Sequence, residues 1–296
     1  MREIRITRPS KILFPEDGIT KAELINYYEK VAPRMLPHLN GRPLTMQRYP
    51  DGIGREGFIQ KSAGAYYPGW IRKATVKKEG GTVRHVICDD VETLVYLANQ
   101  ACITLHTWLS QVDAPHHPDE MVIDFDPSGD RDIAGAASGA LALYDVLKEL
   151  ELPAFVKATG SRGVHVSVPL DGSQDFDSVR AFARRLAGVL VDRDAGRYTL
   201  EQSKAKRRGR VFLDVNRNAY AQTAVAPYAV RARRGAPVAV PLDWSELRRK
   251  NFRSDAVTIR NLFGYLETAG DPWKDFRRKS VSIHAAARKL EKLHAA

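Results

Sequence analysis

The sequence predicts an α/β fold in which strands and helices alternate along a chain of 296 residues. Short apolar runs led by β-branched residues, at residues 121–125 and 211–213, are typical of buried strands. Segments with apolar residues at helical spacing, at residues 133–150 and 178–191, lie between them. Because no repeat, low-complexity tract or clean linker divides the chain, we expect a single two-lobed domain over residues 1–296.

The composition favours a partner with negative charge. Lys and Arg number 46 against 35 Asp and Glu, a formal charge of +11. Such an excess of positive charge attracts nucleic acid. The alternative is that these side chains are only a solvated surface. Cys88 and Cys102 are the only cysteines and form no C-x-x-C motif, so we expect reduced core thiols without a disulfide or zinc site. No signal peptide or membrane span is visible, so we expect a cytoplasmic, nucleoid-associated protein without a membrane partner.

The N-terminal part predicts a capped helix that follows a turn. Thr20 and Glu23 form a capping box at the start of a helical stretch over residues 21–31. Pro33 should end this helix, since proline breaks the helical hydrogen-bond pattern.

The next third of the chain is less regular. Residues 57–61 and 74–76 are β-like runs within a segment rich in Gly, Pro and aromatic residues. The apolar spacing from residue 90 or 91 to residue 109 predicts a helix, and residues 113–118 predict a turn.

The second half predicts two further strands and two terminal helices. Residues 155–158 and 164–168 are strand-like and are joined by a tight, glycine-bearing loop at residues 159–163. Helical patterns follow near residues 256–268 and 278–294.

Three aspartates end predicted strands. Asp124 and Asp126 lie at alternate positions of the first strand, so their carboxylates project to the same side. Two such groups repel each other unless a cation lies between them, and hard oxygen ligands select Mg²⁺ or Mn²⁺. Taken alone, the pattern also fits a strand that runs into a solvated turn. Asp214 ends the run at 211–213, and three carboxylates can hold two metal ions for phosphoryl transfer.

A candidate phosphate cradle follows. In the loop 160–163, the glycines allow close backbone approach, Ser161 offers a hydroxyl and Arg162 a guanidinium, while His165 can donate to a phosphate oxygen. A strand histidine such as His165 is, on its own, more often a satisfied structural residue. Arg231 could reach a triphosphate from a second direction, and the basic run 204–210 is either a solvated loop or a polyanion contact.

These motifs together resemble a known family. DFD at 124–126, GSRGVH at 160–165 and FLD at 212–214 occur in the order and approximate spacing of the three motifs of archaeo-eukaryotic primases. SKILFP at 10–15 and the segment 223–231 narrow the match to the polymerase domain of bacterial DNA ligase D, over nearly the whole chain. Since no K-x-D-G ligase signature occurs, we expect a free-standing or excised polymerase unit without a ligase or nuclease domain.

The resemblance implies a primase-polymerase fold, with a mixed-sheet lobe and an RRM-like lobe that meet at the carboxylates. It also implies a role for each matching residue. The implied catalytic metal ligands, for two Mn²⁺ or Mg²⁺ ions, are Asp124, Asp126 and Asp214. The implied nucleotide contacts are His106 at the sugar and Ser161, Arg162, His165 and Arg231 at the triphosphate. The implied DNA contacts are Lys11 and Lys21 at a 5′-phosphate and Phe58 at the template.

The implied activity is templated nucleotidyl transfer, with ribonucleotides preferred, at DNA breaks or short gaps that carry a 5′-phosphate. Nucleoside triphosphates are the implied substrates, and Ku and a separate ligase are candidate partners. A primase that starts strands de novo, a non-catalytic DNA-end-binding module and a sugar-nucleotide transferase are the alternatives. The chain departs from the family at Ile59, Gln47 and Thr159, where phenylalanine, lysine and serine are common.

Overall fold

The structure is a computed structural model that describes residues 2–78, 80–129 and 133–295. Its strands are β1 (Ile12–Phe14), β2 (Ile19–Thr20), β3 (Leu44–Arg48), β4 (Phe58–Gln60), β5 (Lys73–Lys78), β6 (Gly81–Val86), β7 (Cys102–Trp108), β8 (Glu120–Asp126), β9 (Phe155–Ala158), β10 (Val164–Pro169), β11 (Tyr198–Thr199), β12 (Val211–Asp214), β13 (Thr223–Val225) and β14 (Pro241–Leu242). Its α-helices are α1 (Lys21–Leu39), α2 (Val91–Asn99), α3 (Ile133–Glu149), α4 (Phe176–Arg193), α5 (Leu262–Ala269) and α6 (His284–Ala295).

One lobe is built on a six-stranded sheet with the order β11-β12-β8-β10-β9-β14. Its central strands follow the chain order β8-α3-β9-β10-α4-β12, which is the βαββαβ pattern of an RRM. Helices α3 and α4 pack against β8 and β10. The predicted α/β class and the RRM-like lobe are thereby confirmed.

The second lobe is built on a four-stranded sheet with the order β13-β7-β3-β4, and β5 and β6 form a separate hairpin. All pairs in this four-stranded sheet are antiparallel. The parallel pair β11–β12 instead belongs to the RRM-like lobe. The expectation of a mixed sheet in the second lobe was therefore wrong in this detail, since the mixed pairing lies at the edge of the other sheet.

A buried lysine connects the two sheets. The Nζ of Lys157 on β9 donates to the carbonyl oxygen of Val225 on β13. Lys157 is only 1% exposed, and burial lowers its pKa to about 8. This hydrogen bond therefore links the sheet of the RRM-like lobe to the sheet of the second lobe.

Several predicted elements are confirmed. The capping box of Thr20 and Glu23 is present at the start of α1, and the segments predicted as strands in the second half are β9, β10 and β12. Helices α3 and α4 cover the predicted helical patterns. Cys88 and Cys102 are buried free thiols. Among the described helices, none combines the length and apolarity that crossing a bilayer requires.

The expected end of the first helix was wrong. Helix α1 runs to Leu39 and contains both Pro33 and Pro37. A proline in a helix interior costs about 3 kcal/mol, but continuing the helix buries Met35 and Leu39 completely. Each such side chain contributes about 1.5–3 kcal/mol on burial, a gain of the same size as the cost of one proline.

The prediction of a single helix over residues 91–109 was wrong, because the second half of this segment is a strand. Helix α2 ends at Asn99, Ala101 adopts a left-handed φ of 55°, and β7 follows. β7 pairs with both β3 and β13, so tertiary pairing overrides the local helical spacing. The two C-terminal helices also begin later than predicted, at Leu262 and His284, because 3-10 turns and loops occupy the preceding residues.

Candidate active site

Four polar side chains form a row across four adjacent strands. Asp214 on β12 is the cross-strand partner of Asp124 on β8, Asp124 is the partner of His165 on β10, and His165 is the partner of Lys157 on β9. Cross-strand partners project from the same face of a sheet. The row therefore places two carboxylates, an imidazole and a buried ammonium side by side on the face that meets the second lobe.

Arginines bind the three aspartates. The Nε atom of Arg217 lies 3.3 Å from Asp214 Oδ2 and 3.7 Å from Asp124 Oδ2. Asp126, two residues beyond Asp124 on the same face of β8, binds Nη1 of Arg207 at 3.1 Å. Arg207 belongs to the basic run noted in the sequence, whereas Arg217 had no predicted role. Both guanidinium groups offset the repulsion that clustered carboxylates create.

In their present positions, the His, Cys, Asp and Glu side chains of the described residues include no group of three or more that could hold a metal ion. The donor chemistry nevertheless fits one. A single guanidinium nitrogen of Arg217 contacts both Asp124 and Asp214, so a cation can bridge these two carboxylates. Hard carboxylate oxygens are the ligands that Mg²⁺ and Mn²⁺ prefer. A divalent ion could hold the same place if Arg217 moved aside.

The charge state of Asp124 follows from its neighbours. Burial alone would raise its pKa, but His165 and Arg217 more than offset burial, so the pKa lies below its ordinary value. Nε2 of His165 is 3.4 Å from Asp124 Oδ2. Burial lowers the pKa of His165, against the opposing effect of Asp124. The pair is therefore best described as an ionised carboxylate beside a neutral imidazole.

The glycine-bearing loop lies tightly against the aspartate strand. Gly160 has a φ of 64°, in the left-handed region, and a Cβ at this position would clash with the Val238 backbone. A Cβ on Gly163 would collide with the carbonyl oxygen of Phe125. Ser254, which the sequence interpretation missed, fixes the loop by donating to Gly163 O at 2.6 Å and accepting from the Thr159 N–H at 3.1 Å.

These elements enclose a cavity of about 310 Å³ between the two sheets. Arg231 enters it from the second lobe's side and donates to the Thr159 carbonyl oxygen at 2.7 Å. His106 on β7 lines the same cavity, and burial lowers its pKa to about 3. The eight residues that the sequence proposed for catalysis and nucleotide binding all line it, namely His106, Asp124, Asp126, Ser161, Arg162, His165, Asp214 and Arg231.

Lys11 and Lys21 lie apart from this cavity, in a second pocket that we call the lysine pocket. Lys11 Nζ pairs with Asp51 at 2.7 Å. Lys21 Nζ donates to Thr7 Oγ1 at 3.1 Å and to the Asn99 carbonyl oxygen at 3.2 Å. Burial lowers the pKa of Lys21, and the nearby charge of Lys11 lowers it further. The structure thus brings the two predicted DNA contacts together.

Phe58 lies beside the lysine pocket rather than in the cavity. Its ring stacks on the guanidinium of Arg48 at 5.3 Å, and Arg48 lines that pocket. Ile59 pairs with Gln47 and so projects from the opposite face of β4. The replacement of phenylalanine by isoleucine at 59 thus affects a different face from the one that Phe58 presents.

The RRM-like lobe with three strand-end aspartates facing a glycine loop defines a nucleotidyltransferase of the polymerase class. The sequence profile described as "LigD, primase-polymerase domain" matches residues 20–273. The chain belongs to this family.

Relatives and a solved structure agree with this assignment. The multifunctional non-homologous end joining protein LigD of Mycolicibacterium smegmatis is 32% identical over 87% of this chain, and that of Pseudomonas aeruginosa is 31% identical over 97%. The chain spans about a third of the length of each, 34%. A structure of the polymerase domain of Mycobacterium tuberculosis ligase D in complex with DNA superposes with a TM-score of 0.88, at 28% identity, over 95% of this chain and 100% of that one.

Asn218 holds the two aspartate strands together, and sequence patterns did not reveal it. Its amide donates to the carbonyl oxygens of Val122 and Val215, and its Oδ1 accepts from the Val122 N–H.

Asn218→Ala should lower the free energy of unfolding by about 2–4 kcal/mol, because three buried hydrogen bonds are lost. Asn216→Ala, two residues away and half-buried, is the matched control and should cost less than about 1 kcal/mol. Urea unfolding measures both, and equal effects would contradict this role.

Proposed function

We propose that this chain is a template-directed polymerase that adds nucleotides, preferably ribonucleotides, to primer 3′ ends at DNA breaks or short gaps with a 5′-phosphate. The observation that carries this proposal is the pairing of Asp214 with Asp124 beside a glycine-bearing loop in one cavity. A separate lysine pocket suits a DNA end, which a sugar-nucleotide transferase would have no use for.

The cavity walls suit a triphosphate. Ser161 and Arg162 lie on the loop that forms one wall, and Arg231 lies against the same loop, where it donates to the Thr159 carbonyl oxygen. In this proposal their hydroxyl and guanidinium groups bind phosphate oxygens by charge-assisted hydrogen bonds. His165 is held beside Asp124 and has an Nδ1 without a hydrogen-bond partner among the described residues. In this proposal the negative charge of a bound triphosphate favours the protonated imidazole, which carries an N–H on both ring nitrogens, so that one of them can donate to a phosphate oxygen.

Two divalent ions, Mn²⁺ or Mg²⁺, would be held by Asp124, Asp126 and Asp214, with release of Arg207 and Arg217 from these carboxylates. Bound there, such ions would supply Lewis-acid activation of a primer 3′-hydroxyl and charge neutralisation at the leaving pyrophosphate. The protein's own contribution is to fix the backbone positions of three carboxylates on two paired strands, so that only the arginines and the segment of Arg207 need to move.

The full repair pathway requires more than this chain. The relatives are named for non-homologous end joining, and this chain spans about a third of their length. We propose that end joining or gap-filling repair is the physiological setting, with Ku holding the ends and a separate ligase sealing them.

Replacing Asp124, Asp126 or Asp214 by Ala should lower primer extension at least about a hundredfold, the effect of removing one strong electrostatic stabiliser. DNA binding should change little, since basic residues supply it. The assay is extension of a primer on a gapped duplex in Mn²⁺, with an electrophoretic binding assay in parallel. Asp113→Ala is the matched control, since its side chain is 90% exposed. Near-normal extension by a variant would remove that aspartate from the metal site, and extension without a primer would favour the primase alternative.

His106→Ala should narrow the preference for ribonucleotides by about two- to tenfold, the value of one neutral hydrogen bond. With its pKa lowered to about 3, His106 is neutral at pH 7, and its Nδ1 lacks a partner among the described residues. A neutral imidazole can bond the 2′-hydroxyl of a ribonucleotide. The measurement is kcat/KM for ATP and for dATP opposite a template thymine, with His106→Asn as the conservative variant. An unchanged ratio in His106→Ala would exclude this contact.

Lys11 and Lys21 should make binding to a 5′-phosphorylated gapped duplex about tenfold tighter than to the 5′-hydroxyl form at low salt. Charge-assisted hydrogen bonds of about 1.5–3 kcal/mol each support this magnitude. The double Ala variant should lose the difference, and Lys30→Ala on the exposed side of α1 should keep it. Four titrations at one salt concentration, with melting curves to verify folding, decide the point. Equal binding of both duplexes by the unmodified protein would assign these lysines no role at breaks.

A further inference from the structure

Four large apolar side chains of the described residues are exposed, namely Ile12, Phe58, Ile59 and Tyr66, by 51%, 47%, 56% and 61%. Phe58 and Tyr66 lie beside the lysine pocket, because both contact Arg48, which lines it. Ile59 projects from the opposite face of β4 and is not part of this patch. Exposed apolar patches of this kind mark binding surfaces.

Tyr66 is exposed yet held in place. Its hydroxyl accepts from Nη1 of Arg48 at 2.8 Å. Its ring edge packs against Tyr67, with the centroids 5.0 Å apart and the planes at 69°. Gly64 lies so close that a Cβ there would be 2.5 Å from the ring. A ring fixed on three sides loses little conformational freedom when it binds a ligand.

Arg48 is committed to holding these rings. It is 8% exposed, its Nε donates to the Gln100 carbonyl oxygen at 2.9 Å, and its Nη1 also donates to Gln60 Oε1 at 2.8 Å. With its donors engaged, the guanidinium orients Phe58 and Tyr66 rather than serving as a free phosphate ligand. The rings are thus built into the rim of the pocket.

Charge identifies the occupant of this surface. Arg8, Lys11 and Lys21 line the pocket, and Phe58 and Tyr66 lie beside it. A nucleotide carries both a phosphate and an aromatic base. The phosphate complements the cations of the pocket, and the base complements the exposed rings beside it. Arg48 lines the pocket and also binds the Tyr66 hydroxyl. The Tyr66 ring is therefore linked through the Arg48 side chain to the pocket in which the phosphate would bind.

We propose that Tyr66 is a base-stacking residue that packs on the terminal base pair of the downstream duplex, whose 5′-phosphate enters the lysine pocket. The inference rests on the proposed function, because it requires a DNA end in that pocket. It adds a base contact to the phosphate contact, so that the end of the duplex is recognised by two different chemistries.

The test uses a gapped duplex with 2-aminopurine as the 5′-terminal base of the downstream strand, whose fluorescence changes on stacking. Tyr66→Ala should weaken binding about tenfold and abolish the fluorescence change, as expected for loss of one base–aromatic stack. Tyr66→Phe keeps the ring and should bind within about threefold of the unmodified protein. The weakening in Tyr66→Ala should be the same for 5′-phosphate and 5′-hydroxyl duplexes, because Tyr66 contacts the base.

Distinct results overturn the inference and the proposed function. If the unmodified protein does not bind the gapped duplex, the proposed function itself fails. If it binds and a folded Tyr66→Ala variant binds equally well, only the stacking role fails. A fluorescence change seen only with 2-aminopurine in the template strand would overturn the stated occupant. A change of molar mass in Tyr66→Ala by light scattering would show that the patch joins two copies of this chain.

Discussion

The pairing register of four strands is the constraint on which the site depends. Asp214, Asp124, His165 and Lys157 are successive cross-strand partners on β12, β8, β10 and β9. A slip of one residue in any pair would turn that side chain to the other face, where α3 and α4 pack. The hydrophobic alternation that fixes the sheet on its helices therefore also fixes the separation of these four side chains. The same interactions therefore stabilise the fold and set the geometry of the site.

Clustered carboxylates repel one another unless cations lie between them, and two arginines of this chain provide those cations. Arg217 contacts Asp124 and Asp214, and Arg207 contacts Asp126. Arg207 is only 7% exposed and also bonds the carbonyl oxygens of Glu201 and Gln202. Its loop is thereby tied to the carboxylates, so any cation that displaces Arg207 must also rearrange this segment. Charge balance and loop position are thus coupled at the proposed metal site.

The sequence carried the parts of the site that local patterns encode. Strand periodicity alone placed Asp124 and Asp126 on one face, and the terminal position of Asp214 suggested a third carboxylate at the same edge. Arg217 and Ser254 were missed because their roles depend on contacts that no local period records. Ser254 lies 91 residues beyond the Gly163 carbonyl that it binds. The helix end predicted at Pro33 was wrong for the opposite reason, since the burial of Met35 and Leu39 overrides a strong local signal.

The lysine pocket is electrostatically unfavourable until an anion enters it. Lys21 occupies the first position of α1, where the positive end of the helix disfavours a cation. It is 5% exposed, and besides burial, the charges of Lys11 and Arg8 lower its pKa. The nearest compensation is Asp51, which pairs with Lys11 and is 74% exposed, so that solvent weakens its effect. A phosphate between the lysines would meet both ammonium groups at once. Such a phosphate would relieve the repulsion between like charges in the free protein, and this gain would be larger for a terminal phosphate than for an internal phosphodiester of lower charge.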